Sequence, residues 1–288
     1  MVVNGILTFL YNNKIIIIMP KLDIYCFSMK YFNLLDKLPS YIRPFGLGNN
    51  NYPENWLTEK NGENILNLNK YYGEASGVYW IWKNKLKNIE ADDWIGTCHY
   101  RRLWLNNLYD VKQKSSYKSL YDNLLKPDNN IFLDCETIQV QPILLKNETV
   151  FQQFNNVHKG NILEKCINFL DPDEREKFKK YLNGNELCIT IFITKNHLFK
   201  KFCENLFPWL EKCLDYCIKN HLCKGYNTRL PAFLMERYAS YWFSVNTKKK
   251  YLSYARLGKF MLSNNINKCM NPTKIPLTFR MYPTLHDF

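Results

Sequence analysis

One stretch constrains this chain more than any other: Tyr71 to Arg102, YYGEASGVYWIWKNKLKNIEADDWIGTCHYRR, which changes its hydrophobic period once and then ends in charge. Its first half has a helical pattern, with Ala75, Val78, Tyr79, Trp82, Leu86 and Ile89 recurring at three- and four-residue steps and Lys83, Lys85 and Lys87 between them. Gly77 falls inside that pattern. It costs about 1 kcal/mol relative to alanine there, so it marks a close backbone approach. The second half, Trp94 to Cys98, is a short apolar run behind Asp92 and Asp93, the pattern of a core strand. His99, Tyr100, Arg101 and Arg102 follow at once. An imidazole, a phenol and two guanidinium groups thus stand at the strand's carboxyl end, where open α/β sheets bind ligands.

Two adjacent arginines cannot both point into a core, because a buried unpaired guanidinium is very costly. At least one therefore faces a polar ligand, a carboxylate partner or water. Two readings compete: structural salt bridges at a strand end, and an anion site for a phosphate or diphosphate, whose oxygens match the forked donors of arginine.

These residues also occur in a recognisable arrangement. Asn69-Lys70, Glu74-Ala75-Ser76-Gly77, Tyr79-Trp80-Ile81-Trp82-Lys83-Asn84, then Asp93-Trp94-Ile95-Gly96 and His99-Tyr100-Arg101-Arg102, resemble a family of bacterial and viral capsular-polysaccharide biosynthesis proteins. That family is a domain of unknown function grouped with GT-A glycosyltransferases, and its pattern reads roughly N-x-x-x-x-E-L-T-x-x-Y-W-x-W-K-N, then D-Y-I-G-x-x-H-Y-R-R. The resemblance implies an α/β, GT-A-like fold, a mixed sheet flanked by helices, over about residues 20–245. It also implies a hexosyltransferase-type enzyme that moves a sugar from a nucleotide-sugar donor to a glycan or lipid-linked acceptor. Two alternatives stand beside it: a non-catalytic carbohydrate- or nucleotide-binding protein on the same fold, and a basic nucleic-acid-binding protein.

With 288 residues, 46% of them hydrophobic, the chain can bury a full core as one large domain. Its aromatic content of 16% suits stacking surfaces for sugar rings or bases, although cores use aromatics too. A formal charge of +13 attracts anions, among them nucleotide sugars, anionic lipid headgroups and nucleic acid. No zinc-finger spacing, basic-leucine-zipper pattern or ribonucleoprotein motif is present, so no nucleic acid is expected as a partner. A peripheral contact with an anionic membrane surface is compatible with the charge. The ten cysteines are scattered through apolar patterns, which favours reduced thiols in a cytoplasmic setting. Cys213, Cys217, His221 and Cys223 form the one cluster with a zinc alternative; ligands in line along one helix splay over two turns, and cysteine is a common core residue.

Residues 1–19 hold two short apolar runs, neither near the ~20 residues of a membrane helix. They read as an N-terminal extension, an added strand or a membrane-surface anchor. Leu22 to Phe27 reads as the first sheet strand, and Met29-Lys30 after it replaces a His-Lys pair of the family. Leu105 to Asp128 is polar, an expected exposed insertion. Ile131 to Asp134 and Ile138 to Val140 suggest short strands, Thr149 to His158 and Pro172 to Leu182 helices, Leu187 to Thr194 a strand, and Asn196 to Leu222 a long helix. Arg229, Glu236 and Arg237 match the family's closing motif R-x-x-G-x-L-x-E-R, with Pro231 or Ala232 in the glycine's place. Residues 246–288 read as a basic C-terminal tail.

The resemblance assigns the donor and its diphosphate to Glu74, His99, Tyr100, Arg101, Arg102, Arg229 and Arg237. GT-A enzymes commonly hold a divalent cation with Asp-x-Asp at the end of a central strand. Here that strand ends in His-Tyr-Arg-Arg, so either Arg101 and Arg102 balance the leaving diphosphate without a metal or His99 ligates one together with a distant carboxylate. A manganese or magnesium ion is thus an open question, with Asp134 and Glu136 as weak candidate ligands. Glu74 either complements the helix N-terminus or accepts hydrogen bonds from the donor sugar. Glu236 is the candidate general base, against an ion pair with Arg229 or Arg237. His158 is a second base candidate or a core histidine.

Overall fold

Alternation of apolar side chains builds the centre of the molecule, a nine-stranded sheet. The computed structural model describes residues 21–106, 117–127 and 130–257, together with the backbone of three short strands, Val2–Val3, Ile6–Tyr11 and Lys14–Ile18, that form a separate antiparallel sheet. In the central sheet, β1 (Leu22–Ser28), β2 (Ile42–Gly46) and β3 (Leu57–Thr58) are parallel, and β4 (Trp94–His99) pairs in parallel with the other side of β1. β5 (Arg102–Trp104) turns back from β4. β6 (Thr137–Val140) and β7 (Phe192–Lys195) extend the sheet, with β7 antiparallel between β4 and β6. β8 (Lys249–Leu252) runs parallel to β6 at the edge, and β9 (Tyr254–Arg256) pairs with β5.

The order β8-β6-β7-β4-β1-β2-β3 has a functional consequence. From β1 the chain moves outward to β2 and β3, then returns to place β4 on the opposite side of β1. The carboxyl ends of β1 and β4 therefore flank a topological switch point, where a crevice opens.

Every residue of β1 and β4 is buried, as expected for strands covered on both faces. Tyr25, Phe27 and Ile95 face one apolar cluster, shared with the helices. Ile24, Cys26, Trp94 and Cys98 face the other, with Leu34, Trp56 and Trp104. On the helical side lie α1 (Glu74–Asn84), α2 (Val150–His158), α3 (Pro172–Leu182), α4 (Asn196–Lys219) and α5 (Leu230–Asn246). A capping box between Thr149 and Gln152 starts α2, and Pro208 lies inside α4 without ending it.

Several local expectations change in the fold. α1 stops at Asn84, and Leu86 belongs to a 3-10 turn that delivers the chain to β4. Trp80 rather than Trp82 is buried, its ring 5.1 Å from that of Phe45, while Trp82 stacks half-buried on Phe207. A Cβ on Gly77 would come within 2.5 Å of the Phe27 ring and 2.8 Å of Leu47, so a close approach between α1 and the sheet does require glycine. Ile131 to Asp134 contributes a 3-10 turn, not a strand, and Leu187 to Thr194 divides between β7 and a short strand, Glu186–Leu187, that pairs antiparallel with Ile143–Leu144 in a separate two-stranded sheet. The second half of the expected insertion packs inward through Leu120, Leu124 and Leu125; residues 107–116 and 128–129 lie outside the described residues. Lys249 to Arg256, expected in a basic tail, supplies β8 and β9; residues 258–288 are outside the described residues.

Candidate active site

α1 runs against the direction of β1 and β4, so its first turn arrives at their carboxyl ends. Gly73 caps it at φ +53°, ψ −125°, and a Cβ there would lie 2.5 Å from Nη2 of Arg229. The guanidinium of Arg229, from the 3-10 turn before α5, thus packs on the bare backbone at the α1 N-terminus. The side-chain amide of Asn69 donates to Ser76 Oγ at 2.7 Å and to Glu59 Oε1 at 3.1 Å, and the Ser76 hydroxyl donates to the Gly73 carbonyl at 2.9 Å.

Glu59 was not singled out by sequence. It is fully buried, accepts from the backbone N–H of Gly48 at 2.5 Å, and is pushed to a raised pKa by that burial. It ties the loop after β2 to the start of α1. In sequence it is one charge in the polar run TEKNGEN, which reads as solvated loop, so no local signal marks it.

His99 at the end of β4 has both ring nitrogens engaged. Nδ1 accepts from the backbone N–H of Arg101 at 3.2 Å, so the proton is on Nε2, which lies 3.2 Å from Glu74 Oε1. Burial, reinforced by Arg102, Arg101 and Arg229, holds the imidazole well below its usual pKa. The contact is therefore a neutral donor on a carboxylate rather than an ion pair. Burial raises the pKa of Glu74, the charges of Arg102 and Arg229 oppose the rise, and that of Glu236 adds to it.

Around this core lie two cavities. One of about 360 Å³ is bordered by Met29, Leu47, Asn69, His99 and Tyr100. Another of about 450 Å³ is bordered by Arg102, Thr228, Tyr226 and Glu236. Lys70, Glu74, Arg101 and Arg229 line both, which makes them one cleft with four cations along it: Lys70, Arg101, Arg102 and Arg229. Tyr100 stacks on Phe32, and the Arg101 guanidinium lies 5.2 Å from the Tyr100 ring centre.

A side cavity of about 230 Å³ adjoins the cleft across Tyr226, Phe233 and Glu236. Arg237 belongs here, apart from the other arginines. It is 3% exposed and donates to Glu236 Oε2 at 2.6 Å, to Gln153 Oε1 at 2.6 Å and to the Phe233 carbonyl at 3.2 Å. His158 lines the same cavity. The side-chain amide N–H of Asn227 donates to the His158 carbonyl at 3.0 Å, which leaves the Asn227 oxygen to accept from Nδ1–H at 2.9 Å and the lone pair on Nε2.

Burial pushes the His158 imidazole down to a pKa of about 4, against about 6.5 in an unfolded chain. The unfolded chain therefore takes the proton first. Stability contributed by neutral His158 is full above about pH 6.5 and is lost as the pH falls from there towards 4. Urea unfolding at about pH 7.5 and pH 5 should show an acid-side loss that His158→Gln reduces by up to about 2 kcal/mol, leaving the part due to His99, whose pKa is also lowered. An equal loss in the variant would detach the pH dependence from this residue.

The donor set does not fit a divalent cation. At the carboxyl end of β4 the carboxylate Glu74 accepts from His99 among several cations, and among the described residues no three acidic, histidine or cysteine side chains are grouped to hold a metal. Asp134 and Glu136 precede β6, whose first residue is level, through β7, with Ile95 near the start of β4. They lie at the opposite end of the sheet from the cleft, and Glu136 Oε2 accepts from the Lys248 N–H. Cys213 and Cys217 are buried in the core, whereas His221 is exposed.

A mixed sheet flanked by helices, with a cationic crevice at its switch point, defines an α/β protein of GT-A-like architecture. The model of a domain of unknown function, DUF4422, matches residues 23–248, and the chain belongs to that family. Among solved structures it is similar to WbbM, a bifunctional glycosyltransferase in its apo form, with a TM-score of 0.63 and 16% identity over 83% of this chain. The chain spans 45% of that protein's length, and the likeness is one of fold. No protein of curated function matches the sequence.

Proposed function

We propose that this protein is a glycosyltransferase of hexosyltransferase type. It moves a sugar from a nucleotide-sugar donor to a glycan or lipid-linked acceptor in the synthesis of a polysaccharide such as a capsule. The observation that carries this reading is the convergence of Lys70, Arg101, Arg102 and Arg229 with the α1 N-terminus on one crevice, with Glu236 on its wall. A diphosphate placed there meets forked guanidinium donors and a positive helix end.

In the reaction, the bond between the anomeric carbon and the diphosphate oxygen breaks, and its electron pair leaves with the diphosphate. The arginines offset that charge as it develops, the task a metal ion performs in other GT-A enzymes. An acceptor hydroxyl forms the new bond to the anomeric carbon and gives its proton to Glu236. Glu74, held by the neutral His99 Nε2–H, accepts hydrogen bonds from hydroxyls of the donor sugar. Arg237 orients the Glu236 carboxylate.

The 2.6 Å pair between Arg237 and Glu236 supports a second reading, in which Glu236 is a structural partner and the protein binds carbohydrate or nucleotide without turning it over. No described helix is long and apolar enough to cross a membrane. With a charge of +13, a cytoplasmic protein with a peripheral hold on anionic lipid fits the lipid-linked acceptor. Incubation with a panel of nucleotide sugars, with manganese or with chelator, should release nucleoside diphosphate at the same rate in both. Release that stops in chelator would overturn the metal-free assignment. Binding of a nucleotide sugar without release, across a range of acceptors, would favour the second reading.

A further inference from the structure

The side cavity has a shape and chemistry that the donor cleft lacks. Its volume of about 230 Å³ falls below the roughly 300–1,000 Å³ of pockets that hold drug-sized ligands, so it has room for one small ring. Tyr226 stands on the wall between cavity and cleft, 52% exposed yet fixed in orientation by its neighbours. Its ring is parallel to His158 within 6° at 5.7 Å, and to Phe233 within 30° at 5.0 Å. An aromatic face held open in this way is a platform for the C–H face of a sugar, since ring burial there removes apolar area without hiding the sugar's hydroxyls.

The inner end of the cavity is polar. Buried Gln153 and Arg237 line it, and the tautomer of His158 leaves its Nε2 an acceptor for a hydroxyl. The outer rim is apolar: Val157 is 43% exposed, and half-buried Ile143 also lines the cavity. Glu236, on the shared wall, is within reach of a ligand on either side.

We infer that this side cavity is the acceptor subsite. It takes one sugar ring stacked on Tyr226, with an apolar aglycone running out over Val157 and Ile143. This rests on the transferase reading, which it deepens by giving the acceptor its own chamber and by placing Glu236 between acceptor and donor.

The test uses the full chain with two separate probes: octyl and methyl glycosides of common hexoses, followed by saturation-transfer NMR, and nucleoside diphosphates, followed by calorimetry. Octyl glycosides should bind more tightly than their methyl counterparts. Tyr226→Ala should weaken that binding about tenfold or more while nucleoside diphosphate affinity stays within about twofold, and Tyr226→Phe should retain both. Glycoside binding that is absent from the wild type, or unchanged in Tyr226→Ala, would overturn the subsite. So would a parallel loss of nucleotide affinity, which would assign Tyr226 to the donor. Glycoside binding sensitive to Tyr226 in a protein that binds no nucleoside diphosphate would instead sink the transferase reading and leave the subsite standing.

Discussion

Replacing Arg101 and Arg102 together by alanine should lower the affinity for a nucleoside diphosphate by at least about a hundredfold, equivalent to roughly 2.7 kcal/mol. Hydrogen bonds to charged groups contribute roughly 1.5–3 kcal/mol each, and the variant removes two forked donors from the crevice. Arg101 is exposed and lines both halves of the cleft, so Arg101→Ala alone should cost affinity without lowering the melting temperature. Arg102, half-buried in β5, carries more of the structure, and the melting curve of the double variant shows how much. The loss has an electrostatic signature. Affinity of the wild type should fall with added salt, and that slope should flatten in the variant. Unchanged affinity in a folded double variant would remove the phosphate site and with it the catalytic account.

The second large effect is on turnover. Glu236→Gln should lower kcat by about 10²–10⁴, the usual contribution of a positioned proton acceptor, with little change in nucleoside diphosphate affinity. The same substitution leaves Arg237, 3% exposed, facing a neutral amide where it had a carboxylate. Breaking a buried pair in this way costs roughly 3–5 kcal/mol, so the melting temperature should fall too. Activity must therefore be read per folded molecule, and Glu236→Asp, which keeps the charge, should recover most of the stability but not the geometry. A folded, fully active Glu236→Gln would eliminate this carboxylate as the base and favour its structural role.

Much of the fold was legible because local patterns carry it. The apolar run before His99 is a strand, and the helix before it starts at Glu74 and packs by Gly77, as spacing and a lone glycine indicate. Its length and buried face were less legible: the helical stripe selects Trp82, yet the positions of Phe45 in β2 and Phe207 in α4 buried Trp80 and left Trp82 half-buried. Strand β8 was missed because lysines dominate Lys248-Lys249-Lys250, and an edge strand tolerates charge that a central strand does not; β9, three residues long, is too short to show a period.

The sequence by itself determined that paired arginines follow a core strand and stand at its carboxyl end, because strand direction and residue order are local and the ligand end of a parallel sheet follows from them. Tertiary structure alone decided which charged groups keep company. It sent Arg229 to Gly73 and Arg237 to Glu236 and Gln153, put Asp134 and Glu136 at the far end of the sheet, and buried Glu59 beneath the cleft. Several of these contacts join residues far apart in the chain. They depend on the order of strands across the sheet, a property that no local pattern of residues encodes.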